Sequence, residues 1–197
     1  MPAKIELCMD IGEITGSWDF STLPDNILIG NDCFLERRDS FSRFRSKRRP
    51  GLLLGERVQV LTWTTFNVEP AGVVMIGDDT LLVGSTFMCA ELIQIGARCV
   101  VSYNVTIADC DFHPTEVETR RRDAIAISPM GDRSGRPPLL TRPVIIGNDV
   151  RIGAGAIVLK GVHIGDGATV APGTVLACAV PVNGVAVGNP AVITEKR

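Results

Sequence analysis

At 197 residues the chain is long enough for one domain with a substantial core. Its net charge of -2 gives no general attraction to nucleic acid or an anionic membrane surface. No stretch reaches the roughly 18 to 20 apolar residues of a membrane span, and Met1 to Glu6 lack the basic-then-apolar layout of a secretory leader, so a cytoplasmic protein is expected.

Composition points to many short strands, with Gly 20, ten aromatic residues and the Val, Ile and Leu spread in small pieces. The six cysteines (Cys8, Cys33, Cys89, Cys99, Cys110 and Cys178) form no CxxC and have no metal-ligand spacing with either histidine. They are expected as reduced core or turn residues, and no metal is expected.

In chain order, Met1 to Leu28 is expected to cap an open end, with one domain over 29–193 and a tail at 194–197. Ile29-Gly30-Asn31-Asp32 reads as a first rung. Arg37 to Pro50 follows, rich in arginine, with Phe41 and Phe44 interleaved. No nucleic-acid module is recognisable around it, so it reads as a surface loop or a patch for an anionic acceptor. Leu54, Val60 and Phe66 are spaced by six, as are Ile76, Leu82 and Met88, then Ile95, Val101 and Ile107. The step of seven from Met88 to Ile95 reads as a one-residue bulge.

From Val144 the six-residue period is regular. Anchors fall at Ile146, Ile152, Val158, Ile164, Val170, Leu176 and Val182, each with a smaller partner two residues earlier. An inward pair flanking one outward residue is the signature of a very short strand. Turn formers follow each anchor, and glycine and asparagine suit the positive φ of a tight corner. A period of six has no helical stripe. A corner every six residues instead winds the chain into a triangular coil whose stacked turns form parallel sheets around aliphatic ladders.

Ile107 to Ile146 is far longer than one rung, and an excursion of that length is usually functional or disordered. It holds His113-Pro114, Arg120-Arg121-Arg122 and Arg133 to Pro138. His113 falls six after Ile107, so an inward, packed histidine is the bland reading. His163 is outward in a regular hexad and reads as a solvated or interface side chain.

Asp109-Cys110-Asp111-Phe112-His113-Pro114, Ile146 to Gly155 and Val180 to Ala191 together resemble the hexapeptide-repeat acyltransferases. The branch most similar is that of the maltose, galactoside, nodulation and polysaccharide O-acetyltransferases, over roughly 76–193. The resemblance implies an all-β fold, a left-handed parallel β-helix with a long inserted loop around 113–143. It also implies a homotrimer with sites between subunits, and acetyl-CoA as co-substrate. His113 would be the general base on a hydroxyl of a sugar or glycan precursor, which then attacks the thioester directly. Asp111 and Asp109 are close enough in sequence to orient its imidazole.

For the CoA donor the resemblance implies Ala154, Pro172, Ala177 and Cys178, with Lys160, Lys196 and Arg197 as the available cations. Cys178 and Val192 stand where many relatives carry lysine and arginine, Arg151 replaces a tryptophan, and Gly84-Ser85 occupy the neighbourhood of the sugar-acetylating relatives' asparagine. The arginines at 120–122, 133 and 136 either line a polar acceptor site or are solvated. Two histidines are too few for a three-histidine zinc site on this helix. Acetylation of a xenobiotic hydroxyl and a non-catalytic scaffold are the remaining alternatives.

Overall fold

The computed structural model describes residues 23–195, so the expected N-terminal cap lies mainly outside the described residues. Three sheets form the walls of a triangular coil. Sheet A stacks Ile27–Ile29, Leu52–Leu54, Val73–Ile76, Leu92–Ile95, Val144–Ile146 and His163–Ile164. Sheet B stacks Phe34–Leu35, Gln59–Leu61, Leu81–Val83, Val100–Val101, Arg151–Ile152, Thr169–Val170, Gly184–Val187 and Val192–Glu195. Sheet C stacks Thr65–Val68, Thr86–Cys89, Thr106–Ala108, Ile157–Val158 and Val175–Leu176. The pairings are parallel except the last in sheet B, where Val192–Glu195 folds back antiparallel on Gly184–Val187.

The anchors stack in register as three internal ladders. Leu54, Ile76, Ile95, Ile146 and Ile164 line sheet A, and Val60, Leu82, Val101, Ile152 and Val170 line sheet B. Phe66, Phe87, Ile107, Val158 and Leu176 line sheet C. All are buried, each worth roughly 1.5–3 kcal/mol of transfer free energy. Phe41, Phe66 and Phe87 stack ring on ring, with centroids 5.5 and 4.9 Å apart.

Two anchors differ from the six-residue reading. Met88 points outward and is half-buried, while its neighbour Phe87 carries the ladder, five residues after Leu82. Val182 is exposed: Val180 sits beside Ile164 instead, and Ala186 takes the next inward place. The chain turns at Pro181, whose carbonyl accepts from Gly184 N–H at 2.9 Å, and proline has no N–H to give a ladder.

The glycine after each sheet A anchor serves close approach between coils, not positive φ. A Cβ at Gly30 would lie 2.4 Å from the Gly55 carbonyl oxygen, and one at Gly96 would lie 2.7 Å from that of Gly147. Positive φ, between 54° and 57°, falls two residues later, at Asp32, Arg57, Asp79, Arg98 and Asp149. The alternation of sign lets Arg57 reach Asp79 at 2.6 Å and Arg98 reach Asp149 at 2.7 Å across successive coils.

The corners are unequal. Between sheets A and B every step is six residues, and between B and C only Leu82 to Phe87 departs from six. Between C and A the steps are ten (Phe66 to Ile76), eight (Phe87 to Ile95) and the long excursion from Ile107 to Ile146, before returning to six at Val158 to Ile164. The irregularity is gathered on one edge of the prism, and the histidine stands there.

Candidate active site

The excursion leaves and returns as a pinned stem. Asp111 N–H donates to the Leu140 carbonyl at 3.0 Å, Arg142 N–H donates to the Asp109 carbonyl at 2.8 Å, and Cys110 bridges Thr141 antiparallel. Asp109 is fully buried, and its carboxylate accepts the backbone N–H groups of Ala90, Glu91 and Leu92, each at 2.7 Å. Three charge-assisted bonds fix the eight-residue corner beneath the stem. Asp111 pairs instead with Lys160.

Beyond the stem the segment is not a structureless loop. It holds helix α1 (Val117–Ile127) and a single 3₁₀ turn (Arg133–Gly135). Glu116 caps α1 by accepting from Glu118 and Thr119 N–H at 2.9 and 2.6 Å. Hydrogen bonding to Thr119, then to the Glu118 backbone, holds its carboxyl down at about 2. Asp123 and Ala126 are buried, whereas Arg120, Arg121 and Arg122 lie on the outer face and bond within the helix and its N-terminal approach.

The buried face of α1 brings Asp123 to His113. The imidazole Nδ1 lies 2.6 Å from Asp123 Oδ2, with the His113 side chain 50% exposed and the Asp123 side chain 0%. Arg136 Nε donates to the other oxygen, Oδ1, at 2.7 Å, and Arg136 also donates to the Phe112 carbonyl at 3.1 Å. Burial pushes the Asp123 carboxyl up, but the bonds from Arg136 and His113 outweigh it and hold it below its ordinary value. An ionised Asp123 requires a proton on Nδ1, which leaves Nε2 of a neutral imidazole as the free acceptor.

His113 opens on a cleft of about 400 Å³. One wall is the excursion, and the floor is the outward face of sheet C, including Asn67, Glu69 and Met88. Arg133 and Arg136 each reach Glu69 at 2.8 Å. Cys89 and Cys110 also line it. Burial, then the nearby Asp109 charge, raises the Cys110 thiol to about 12, and Cys89 is raised by the same two causes. Neither is a thiolate at neutral pH, so neither is suited to carry an acyl group covalently.

The residues that the sequence assigned to this chemistry separate into groups. His113 is at the cleft, but Asp109 and Asp111 are engaged elsewhere and its partner is Asp123, ten residues on and brought round by α1. Ala154 and Pro172 are exposed and stack at the B–C corner, where Gly173 N–H donates to the Ala154 carbonyl at 2.9 Å. Lys160 is half-buried against Asp111, and Ala177 and Cys178 are exposed, all three at the C–A corner. Lys196 and Arg197, like Cys8, lie outside the described residues. Asp123, Arg136, Glu69 and Arg45 were not singled out together by the sequence.

Residues 143–178 match the family described as bacterial transferase hexapeptide (six repeats). The fold is similar to a maltose O-acetyltransferase from Clostridium difficile 630, with TM-score 0.59 and 27% identity, over 75% of this chain and 71% of that one. It is also similar to a hexapeptide-repeat acetyltransferase from Vibrio cholerae complexed with acetyl coenzyme A, with TM-score 0.59 and 24% identity, over 80% and 73% of the two chains.

Among curated proteins, a 2,3,4,5-tetrahydropyridine-2,6-dicarboxylate N-acetyltransferase of Staphylococcus aureus is 44% identical over 59 residues, or 30% of this chain. The match spans about a quarter of that relative's length, 25%. Residues 143–178 therefore carry the hexapeptide repeat, and the fold is a parallel β-helix like that of the acetyltransferase structures it is similar to. Among the described residues no helix is long and apolar enough to cross a membrane.

Proposed function

We propose that the protein is an acyl-CoA-dependent O-acetyltransferase in which Asp123 holds His113 as the general base. The observation that carries this reading is the 2.6 Å contact between Nδ1 of His113, which lines the cleft, and the fully buried Asp123 carboxylate. A hydroxyl becomes a competent nucleophile only as its proton leaves, and positioned base catalysis of this kind contributes roughly 10²- to 10⁴-fold. His113 Nε2 takes the acceptor proton while the oxygen forms a bond to the thioester carbonyl carbon. When the tetrahedral intermediate collapses the C–S bond breaks, and the CoA sulfur leaves with the proton returned by His113. Asp123 stabilises the transient imidazolium and does not itself take the proton.

The acetyl-CoA complex of the Vibrio cholerae neighbour supports the choice of donor. Ala154 and Pro172 stand on one corner of the prism, and Lys160, Ala177 and Cys178 on another. A pantetheine groove using both corners is best built between two copies of the chain, in a homotrimer, with Lys196 and Arg197 as further candidates for its phosphates. The acceptor in this reading is a hydroxyl of a sugar or glycan precursor, and the site of action is cytoplasmic. The same dyad would serve an amine, and the Staphylococcus aureus relative is named for N-acetyl transfer. The test is thiol release from acetyl-CoA against matched hydroxyl and amino acceptors, with wild type and His113→Ala. Turnover that survives in His113→Ala at near wild-type rate would rule the base assignment out.

A further inference from the structure

We infer that the His113 cleft contains an anion subsite, built by Arg43, Arg45, Arg133 and Arg136, and that the acceptor carries a carboxylate or phosphate. This rests on the reading of His113 as the base that faces the acceptor.

The subsite follows from strand alternation. Residues 43–47 run extended along the edge of sheet C: Arg45 N–H donates to the Val68 carbonyl at 2.8 Å, and Lys47 N–H donates to the Pro70 carbonyl at 2.9 Å. Phe44 and Ser46 therefore point inward and are buried, while Arg43, Arg45 and Lys47 share the outward face. That face is the rim of the cleft, which Arg43 and Arg45 line together with Arg133 and Arg136. An adjoining hollow of about 660 Å³ carries the same chemistry onward past Arg45, Arg133 and Arg136 to Lys47.

The positive charge there is not neutralised from within. Arg133 and Arg136 share Glu69, and Arg136 shares Asp123 with His113. Arg45 donates only to neutral oxygens, the Arg43 carbonyl at 2.9 Å and Asn67 Oδ1 at 3.2 Å. Among the described residues the Arg43 side chain has neither a hydrogen-bond nor an ion-pair partner. Four guanidinium groups thus face two carboxylates, and Glu69 is the one acidic residue lining either hollow. Burial, followed by the repulsion of Arg133, lowers the Arg45 pKa, as expected of a cation still waiting for its counter-ion. Guanidinium forks bind carboxylate and phosphate in two-point contact. The volume suits a sugar-sized ligand.

The test uses three probes that share a ring and differ in one group: glucose, glucuronate and glucose 6-phosphate. Binding to the full chain is measured by calorimetry at low and high salt. At least one charged probe is expected to bind about 10- to 100-fold more tightly than glucose, with the advantage shrinking in salt. Arg43→Gln and Arg45→Gln should abolish that advantage, and the preferred probe identifies carboxylate or phosphate as the group. Equal binding of all three, binding of none, or charged-probe affinity unchanged in both variants overturns the inference. Acetyl transfer is read separately. Charge-selective binding in a protein whose turnover is indifferent to His113→Ala would overturn the proposed base and leave the subsite standing. Equal use of glucose and the charged sugars by a His113-dependent enzyme would do the reverse.

Discussion

The stack from Val144 to Leu176 and the C–A corner of the coils before it are built from the same kind of residue to opposite ends. In the stack every corner takes six residues, every anchor meets an anchor, and the smaller partner two residues before each anchor is buried beside it. At the corner the steps lengthen to eight, ten and then a whole helix-bearing excursion, and there a buried carboxylate, a histidine and four arginines converge. Within one chain the regular hexads bury their anchors against one another, and the cluster of ionisable side chains around His113 sits where the repeat breaks.

The largest separation between the two regions should come from a pair of truncations. His113→Ala is expected to lower turnover by roughly 10²- to 10⁴-fold with the unfolding midpoint of the coils preserved, since Arg136 still holds Asp123 and no ladder residue is touched. Ile152→Ala should do the opposite, costing about 2–5 kcal/mol in denaturant unfolding with turnover per folded molecule preserved. Next in size is Asp109→Ala, which strips one buried acceptor from three backbone donors. It should cost roughly 2–4 kcal/mol and also loosen the corner under His113, so that stability and KM move together.

Asp123→Asn sharpens the account further. Its effect should fall mainly on kcat, by about 10- to 100-fold, because the amide can present an N–H to Nδ1 and favour the wrong tautomer. The carboxyl of Asp123 is depressed in the folded protein, so its stabilising contribution is full above the ordinary carboxylate range. That contribution is lost as pH falls through its lowered value. Acid should therefore release the excursion from the prism before the coils unfold, visible as lost helical ellipticity that Asp123→Asn no longer shows. Glu116 is held at about 2, so the cap of α1 is lost only in strong acid. Smallest of all is Val182→Ser, which should change stability by no more than about 0.5 kcal/mol. The bare six-residue period puts Val182 in the core, but the structure puts it outside.

These contrasts follow what could be read from residue order. A ladder repeats, so Ile146, Ile152 and Val158 declare one another, and the coil follows from them. Phe87 over Met88 was hidden because both are apolar and adjacent, and only the pairing with Phe66 and Ile107 decides which faces in. His113 stood out by the segment that carries it. Its partner did not: nothing local distinguishes Asp123 from Asp109 or Asp111 until α1 turns it inward. The arginines of the 37–49 run were visible as charge, and the alternation around Phe44 was the available signal that two of them share a face. Their meeting with Arg133 and Arg136 depends on a fold-back of some ninety residues, which no spacing records.

The most direct test is kcat/KM for acetyl transfer in wild type and His113→Ala, with the unfolding midpoint of each measured alongside. If His113 is the base, the variant keeps the unfolding midpoint of the coils and loses roughly 10²- to 10⁴-fold in turnover. A folded His113→Ala protein with a near wild-type rate would contradict that role.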